Sequence, residues 1–485
     1  MGRRREPQPR DAVVVSIGGG LSSFALVDRL RIGGVQKADI RVVSSGAWPW
    51  EGFQATCRAS GMLDDSPLRS DSSSRMDNIW GFPGYAMTQA LRDHSPLPML
   101  KTLGEPLLNQ PYTPPLGLFT DTLEREARRI GWPSMLVRGQ ATAVDRLPDG
   151  RYRVLVRRQK GRPMALTCTH LHLGLGATGP RVAEDAGGFR AEHGAERVVH
   201  AYEPHDHVYR ELAARGGSVL LRGNGIAASR ALHRLIQAKR EGGVDLQIWH
   251  VFRSYRTDSP QPGGPEEEAH DAGLARTGDG FRYQPFSFPK GAFSGQLLDR
   301  TRALPEEERL DLLAELGATS TPYRREWVQE LRQARSDGWY RAVRGENTAF
   351  TEFPDCVQAS ISLSNGRRLS LELDFAVDAT GRNGRAVDHP LAAQLVDAGL
   401  AEANPLGSLR VDDDFVVQGS RGPGLLLASG MITRGAPLGP VDSFYGMQSA
   451  ALGMADALAE RGVGRRLGSW RSVSQWLRWV GGRQP

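Results

Sequence analysis

Cysteine is scarce in this chain, with three in 485 residues, at Cys57, Cys168 and Cys356. They lie too far apart for a CxxC redox pair, a zinc spacing or a disulfide framework, so a reducing, cytoplasmic setting is expected. Long apolar runs are also missing. No stretch approaches the roughly 18 consecutive apolar residues of a membrane span, and the opening MGRRREPQPRD has no apolar core of the kind a secretory signal carries. Charge of one sign is not in large excess: 61 basic residues face 55 acidic ones, a net +6 spread along the chain. No nucleic-acid footprint follows. Two histidine pairs, His170 with His172 and His205 with His207, come without further ligands, so no metal site is expected. The remaining composition, with 40% hydrophobic and 24% charged residues, is that of a globular protein whose length implies two or three domains.

Residues 11–17, Asp-Ala-Val-Val-Val-Ser-Ile, form the continuous apolar run of a buried parallel strand. Gly18-Gly19-Gly20-Leu21-Ser22-Ser23 follows, then Phe24, Val27 and Leu30 at helical spacing, then a second strand at Ile40-Arg-Val-Val43. A strand, glycine turn, helix and strand within about 35 residues is the unit that holds a dinucleotide diphosphate on a helix N-terminus. Gly18, Gly19 and Gly20 keep the backbone bare for phosphate oxygens, while Ser22 and Ser23 open the helix, Ser23 where a third glycine is usual. Ser44 and Ser45 stand where an acid for the ribose hydroxyls is usual.

The arrangement returns at residues 218–229, with Gly223-Asn224-Gly225-Ile226 as the turn and a strand at 246–252. Two glycine fingerprints imply two dinucleotide sites. Arg253 and Arg256 follow the second strand with no carboxylate between them, which suits a 2′-phosphate and favours NADPH over NADH. A β-meander follows each copy, the first running into Ala177-Thr178-Gly179 and the second into Ala379-Thr380-Gly381. Small residues there suit chain that passes close to a cofactor or crosses between domains. Near the C-terminus a strand ends at Gly430, and a glycine- and proline-rich turn leads to a helix from about Ser443 to Glu460. Its N-terminal N–H groups could serve a flavin pyrimidine edge, or the helix simply closes the fold.

Between these units lie the candidate pocket segments. Arg75 and Asn78, in a polar run after the first unit, are candidate pocket residues, with an ordinary surface loop as the alternative. The aromatic, proline-rich residues 283–293 suit a substrate-shaping loop and suit equally a hydrophobic anchor. Residues 258–279 read as a mobile loop with the composition of a lid. The tail from Arg461, with Trp470, Trp476 and Trp479 among arginines, has a basic amphipathic pattern that fits docking on the protein itself better than a membrane surface.

Together these features resemble the two-dinucleotide-binding-domain flavoproteins over most of the chain. Asp374 with Ala379-Thr380-Gly381 is similar to the D-x-x-x-x-A-T-G pattern of the class B flavin monooxygenases, the flavin-containing and N-hydroxylating enzymes. His200-Ala-Tyr202 before the second fingerprint and the segment from Leu304 to Tyr323 are similar to elements of the same families. The resemblance implies an α/β fold of two Rossmann-like, three-layer domains with β-meanders. It implies a discontinuous FAD domain (1–205 and 346–485) interrupted by an NADPH domain with a helical insertion (206–345). FAD on the first fingerprint, NADPH on the second, O2 and a small nucleophilic substrate such as an amine are implied as partners. Gly430-Met431 departs from the family's Gly-Asp pair, and Gly430-Met-Ile-Thr-Arg-Gly435 also looks like the flavin motif of adrenodoxin-type ferredoxin reductases. A reductase passing electrons to a ferredoxin-like protein is the alternative, a flavin-binding redox sensor a third reading. The oligomeric state stays open, a homo-oligomer included.

Overall fold

The computed structural model describes residues 10–253, 281, 283–284, 295–316, 321–363, 365–420 and 422–485. Its first sheet has six strands, β1 (Arg10–Ile17), β2 (Ile40–Ser44), β3 (Leu136–Arg146), β4 (Tyr152–Arg158), β5 (Met164–Leu173) and, far along the chain, β17 (Leu426–Ala428). β1 lies between β2 and β5, β2 pairs with β3 and β5 with β17, all parallel. Antiparallel β4 joins the later part of β3 to the first part of β5 as a meander. Val14 and Val15 are completely buried, so β1 needs apolar side chains on both faces and reads as an unbroken run. The helix Leu21–Ile32 buries all but one of its residues, because the helix Phe444–Glu460 packs on the side away from the sheet.

The second sheet repeats this plan. β8 (Gly217–Arg222) lies between β9 (Leu246–Phe252) and β15 (Phe375–Asp378), β9 pairs with the start of β12 (Tyr340–Phe353), and β7 (Val198–His200) closes the edge beside β15, all parallel. The rest of β12 forms an antiparallel meander with β13 (Cys356–Leu363) and β14 (Arg368–Leu373). β14 and β15 are separated only by Asp374, whose carboxylate accepts from the Ser218 N–H at 2.7 Å and pairs with Arg215 at 2.7 Å. One apolar core lies between this sheet and the helices Asp206–Arg215, Ile226–Gly242 and Arg325–Ser336, and a second covers its other face.

The expected domain limits at 205 and 345 need correction. The limit at 345 cuts β12 in two, because a meander that grows out of a sheet's third strand stays hydrogen-bonded to that sheet. The second sheet therefore runs from Val198 to Asp378. The chain crosses between domains at the two Ala-Thr-Gly segments. There β6 (Gly179–Pro180) pairs antiparallel with β16 (Arg382–Asn383), and the Thr380 hydroxyl donates to the Arg181 carbonyl at 3.1 Å. A short parallel pair, β10 (Tyr283–Gln284) with β11 (Thr321–Pro322), completes the described strands. At the C-terminus the helix Ser469–Val480 docks on the first domain through Trp476 and Trp479, whose indole N–H groups donate to the carbonyls of Phe82 and Asp77, each at 2.9 Å.

Ser23, at the third fingerprint position, is fully buried, and the glycine it displaces has moved to the facing strand end. A Cβ on Gly174 would lie 2.3 Å from the Ser23 Oγ. Gly174→Ala should therefore destabilise the protein by about 1–3 kcal/mol, and adding Ser23→Gly should recover most of that loss. Urea denaturation of the three variants measures both effects.

Candidate active site between two glycine cradles

The two fingerprint turns have the same backbone geometry. Gly18 (φ +95°) and Gly223 (φ +118°) take up conformations that side chains avoid, and each sends its N–H back to the second strand of its sheet, to Val43 at 2.9 Å and to Val251 at 2.8 Å. Gly20 (φ −84°, ψ −171°) and Gly225 (φ −84°, ψ −173°) are the N-caps of the two following helices, and neither helix has a side-chain cap. A Cβ built on Gly20 or Gly225 meets no atom within 4 Å. The protein itself does not need glycine at these two positions. Bare backbone in front of an uncapped helix N-terminus, with its positive dipole end, is a seat for a diphosphate.

The other expected residues of the first cradle divide into supports and contacts. The Ser22 hydroxyl bonds to that of Ser429 (2.5 Å), which bonds in turn to Nε2 of the buried His172 (2.7 Å), while Nδ1 of His172 bonds to Ser16 (2.8 Å). Burial lowers the His172 pKa to about 3, so a neutral ring ties the fingerprint helix to β17 and to Gly430. Ser44 is buried, its Oγ only 2.2 Å from where a Gly19 Cβ would be, and it accepts from the Gly46 N–H at 3.1 Å. Ser44 therefore shapes the turn, and Ser45 is exposed beyond it. A carboxylate does lie nearby: Glu51, seven residues after Ser44, folds back over this turn and accepts from the Ala47 N–H at 2.9 Å. Sequence reading missed Glu51 because it lies beyond the strand, in the first turn of the helix Glu51–Ala59.

At the second cradle a cavity of about 640 Å³ is lined by Gly223, Asn224, Gly225 and Ile226, by Arg253 at the end of β9, and by Thr380 and Gly381. Arg222, which the sequence did not mark, braces it: its guanidinium holds Asp185 at 2.6 Å and Asp378 at 2.7 Å. Burial alone raises the pKa of the Asp378 carboxyl, but the Arg222 hydrogen bond and charge outweigh burial and hold it below its ordinary range. Burial lowers the His250 pKa to about 4. The neutral ring donates from Nε2 to the Gly223 carbonyl (2.5 Å) and accepts from Tyr340 (2.9 Å). Ala177 and Thr178 lie at the interdomain crossing, where the Thr178 N–H donates to Asn383 at 3.0 Å, and they line neither cavity. Arg256, the expected lid at 258–279 and most of the aromatic loop at 283–293 fall outside the described residues.

The side chains of Arg75 and Asn78 are engaged within their own segment, and neither lines the cavity between the domains. Arg75 is 1% exposed, paired with Asp77 at 2.5 Å, bonded to Pro83 O (3.0 Å) and Thr88 (2.7 Å), and placed 4.6 Å from the Tyr85 ring centroid. The Asn78 side chain closes a turn, donating to Phe82 O at 2.8 Å and accepting from the Trp80 N–H at 2.8 Å. Both hold the segment together from inside, a pattern that polar composition alone does not separate from a surface-facing run. From the same segment Ser70 and Ser74 reach the cavity.

That cavity, about 340 Å³, lies between the domains. Phe53, Cys57, Ser443, Phe444 and Tyr445 form its first-domain side, and Tyr202, Ile226, Ala227 and Arg230 its second-domain side. Ile226 and Ala227 line both cavities. Ser443 caps its own helix, accepting from the Gly446 N–H at 3.0 Å and donating to Pro440 O at 2.6 Å. Burial pushes the Cys57 thiol up to about 12, so it is a neutral wall residue rather than a nucleophile. Among the described residues no group of three or more metal-ligating side chains occurs.

No family model and no curated protein matches the sequence. Solved structures do match. Ornithine hydroxylase (PvdA) from Pseudomonas aeruginosa is similar over 93% of this chain and 100% of its own, with TM-score 0.64 and 16% identity. Kutzneria sp. 744 ornithine N-hydroxylase (KtzI), in a structure with reduced FAD, NADP+ and L-ornithine, is similar over 93% and 100%, with TM-score 0.65 and 14% identity. The bacillithiol disulfide reductase Bdr (YpdA) from Bacillus cereus is similar over 92% and 100%, with TM-score 0.54 and 11% identity. The fold is thus that of the two-domain dinucleotide-binding flavoproteins.

Gly20→Ala and Gly225→Ala should each leave the stability of the ligand-free protein within about 0.5 kcal/mol. Each should weaken the dinucleotide seated at its own cradle by about tenfold or more, a cost near 1.4 kcal/mol. Thermal unfolding with and without added FAD or NADP+ separates the two effects.

Proposed function

We propose that the chain is an FAD- and NADPH-dependent monooxygenase that hydroxylates the nitrogen of a primary amine: R–NH2 + O2 + NADPH + H+ → R–NHOH + NADP+ + H2O. The supporting observation is the pair of matching cradles with bare Gly20 and Gly225, one on each domain, with a largely apolar cavity between the domains. The ornithine hydroxylases among the structural neighbours place the same fold with this chemistry. FAD, when bound, supplies the activation of oxygen, so the protein needs no acid–base dyad of its own.

The chain's own groups bind, orient and exclude water. FAD is assigned to Gly18, Gly19 and Gly20 with the N–H groups that open the helix Leu21–Ile32, and its ring to the region of Gly430 and the helix capped by Ser443. NADPH is assigned to Gly223, Asn224, Gly225 and Ile226, its 2′-phosphate to Arg253. The walls from Phe53, Phe444 and Tyr445 keep the reaction space dry, which slows loss of activated oxygen as hydrogen peroxide. Reduction of a disulfide is disfavoured, because all three cysteines are unpaired and Cys57, the one in the cavity, is a buried neutral thiol.

The test is turnover of purified, FAD-loaded protein with NADPH under air and under nitrogen, offering L-ornithine, L-lysine and cadaverine, with hydroxylamine product and hydrogen peroxide measured together. The proposal expects hydroxylamine formation that requires both O2 and one of the amines. NADPH oxidation that runs equally under nitrogen with a ferredoxin or ferricyanide as acceptor, and yields no hydroxylamine, would overturn it in favour of a reductase.

A further inference from the structure

The second-domain wall of the central cavity carries a buried cation with no counter-ion among the described residues. Arg230 is 8% exposed, and its only hydrogen bond runs to the Pro67 carbonyl at 2.6 Å. Its Nε–H is buried without a partner, and no carboxylate forms an ion pair with it. Arg324 stands close by, donating to the next carbonyl, Leu68 O (3.2 Å), and to Thr113 (2.9 Å), again with no ion-paired carboxylate. Burial, and then the neighbouring Arg69 charge, bring Arg230 down to about 10, while burial and Arg230 bring Arg324 to about 9. His233 lies beside them but is held neutral, at about 4, and relieves nothing.

A buried charge that lacks its partner is destabilising, so such groups are normally paired or engaged by a ligand. Here the first condition fails and the second is open, because Arg230 lines the cavity. Its planar fork matches the two oxygens of a carboxylate better than any other cation in the protein repertoire. The diphosphate of the nicotinamide cofactor has its own seat at Gly223–Ile226, in the other cavity, whose lining does not include Arg230. Arg230 lies one helical turn further on, about 6 Å along the axis from Ile226 at 1.5 Å per residue. The one acidic residue in the lining of the central cavity is Asp442, on the first domain beside Ser443. The described lining thus holds two cations, Arg230 on the second domain and Arg69 on the first, against Asp442, which pairs with Arg434 at 3.5 Å, with aromatic and aliphatic walls between.

We infer that Arg230 receives the carboxylate of the substrate, which is accordingly an amino acid and not a simple diamine. This rests on the proposed N-hydroxylation for its chemistry, but the anion site itself is read independently of turnover.

The FAD-loaded wild type, Arg230→Gln and Arg230→Lys are compared on pairs that differ by one carboxylate: L-lysine with cadaverine, and L-ornithine with putrescine. The wild type should favour the amino acid in kcat/KM by tenfold or more. In Arg230→Gln that preference should collapse, chiefly through KM, with partial recovery in Arg230→Lys. The half-saturation by NADPH, read from the rate of anaerobic flavin bleaching, should stay within twofold. Binding of L-norleucine, which has the carboxylate but no terminal amine, is followed by thermal shift and should weaken at least tenfold in Arg230→Gln. If norleucine binds equally to wild type and variant, or to neither, the anion site is refuted; if NADPH half-saturation is what rises, Arg230 serves a cofactor phosphate instead. Should norleucine bind through Arg230 while no amine is hydroxylated, the reaction assignment fails and the anion site stands.

Discussion

Everything in this molecule is arranged around one backbone device used twice: a strand that ends in a glycine with positive φ, followed by a helix whose first N–H groups are left uncapped. Gly18 and Gly223 turn the chain sharply enough for the helix N-terminus to face outward, and the hydrogen bonds to Val43 and Val251 fix that turn to the neighbouring strand. Two further glycines, Gly20 and Gly225, add no side chain there, and among the described residues no atom lies within 4 Å of where their Cβ would be. An uncapped helix start is ordinarily satisfied by a side chain or water. Other helices of the chain also start without a side-chain cap; what repeats at two matching places is the positive-φ glycine at the strand end before a glycine N-cap, and that repetition gives the diphosphate reading its weight.

The surrounding polar residues make these two turns rigid rather than reactive. On the first domain the Ser16–His172–Ser429–Ser22 chain links β1, β5, the end of β17 and the fingerprint helix, so the last strand of the sheet is locked to the first turn. On the second, Arg222 ties β8 to β15 and to the helix Glu184–His193, and His250 holds the Gly223 carbonyl. Both histidines are buried and neutral, so they contribute as hydrogen-bond spacers and not as titrating groups. The β6–β16 crossing sets the two domains against each other, and the central cavity is the space left between them.

Much of this was legible in the sequence, because strand, glycine turn and helix leave marks of different period. The apolar run 11–17, the Gly-x-Gly turns and the two meanders with their Ala-Thr-Gly ends all lie in neighbouring residues, and each appears where its pattern indicated. The domain limit at 345 was misplaced because a meander carries no mark of which sheet it joins; only the pairing of Tyr340–Arg344 with β9 decides it. At Arg75 and Asn78 composition is silent on orientation, because a polar run around a buried arginine has the same composition as a polar run facing a ligand. Arg222 and Arg230 were missed for a related reason. Their importance comes from what lies across from them, at separations in sequence of up to 163 residues for Arg230 and Pro67, and no local period records that.

The most direct test of the account is a crystal structure of the protein with FAD and NADP+ both bound. The account predicts two diphosphates, one in front of Gly20 and one in front of Gly225, each within about 3 Å of helix N–H groups, with the flavin and nicotinamide rings meeting in the central cavity. A nucleotide bound away from these turns, or a second cradle that stays empty at saturating NADP+, would contradict it.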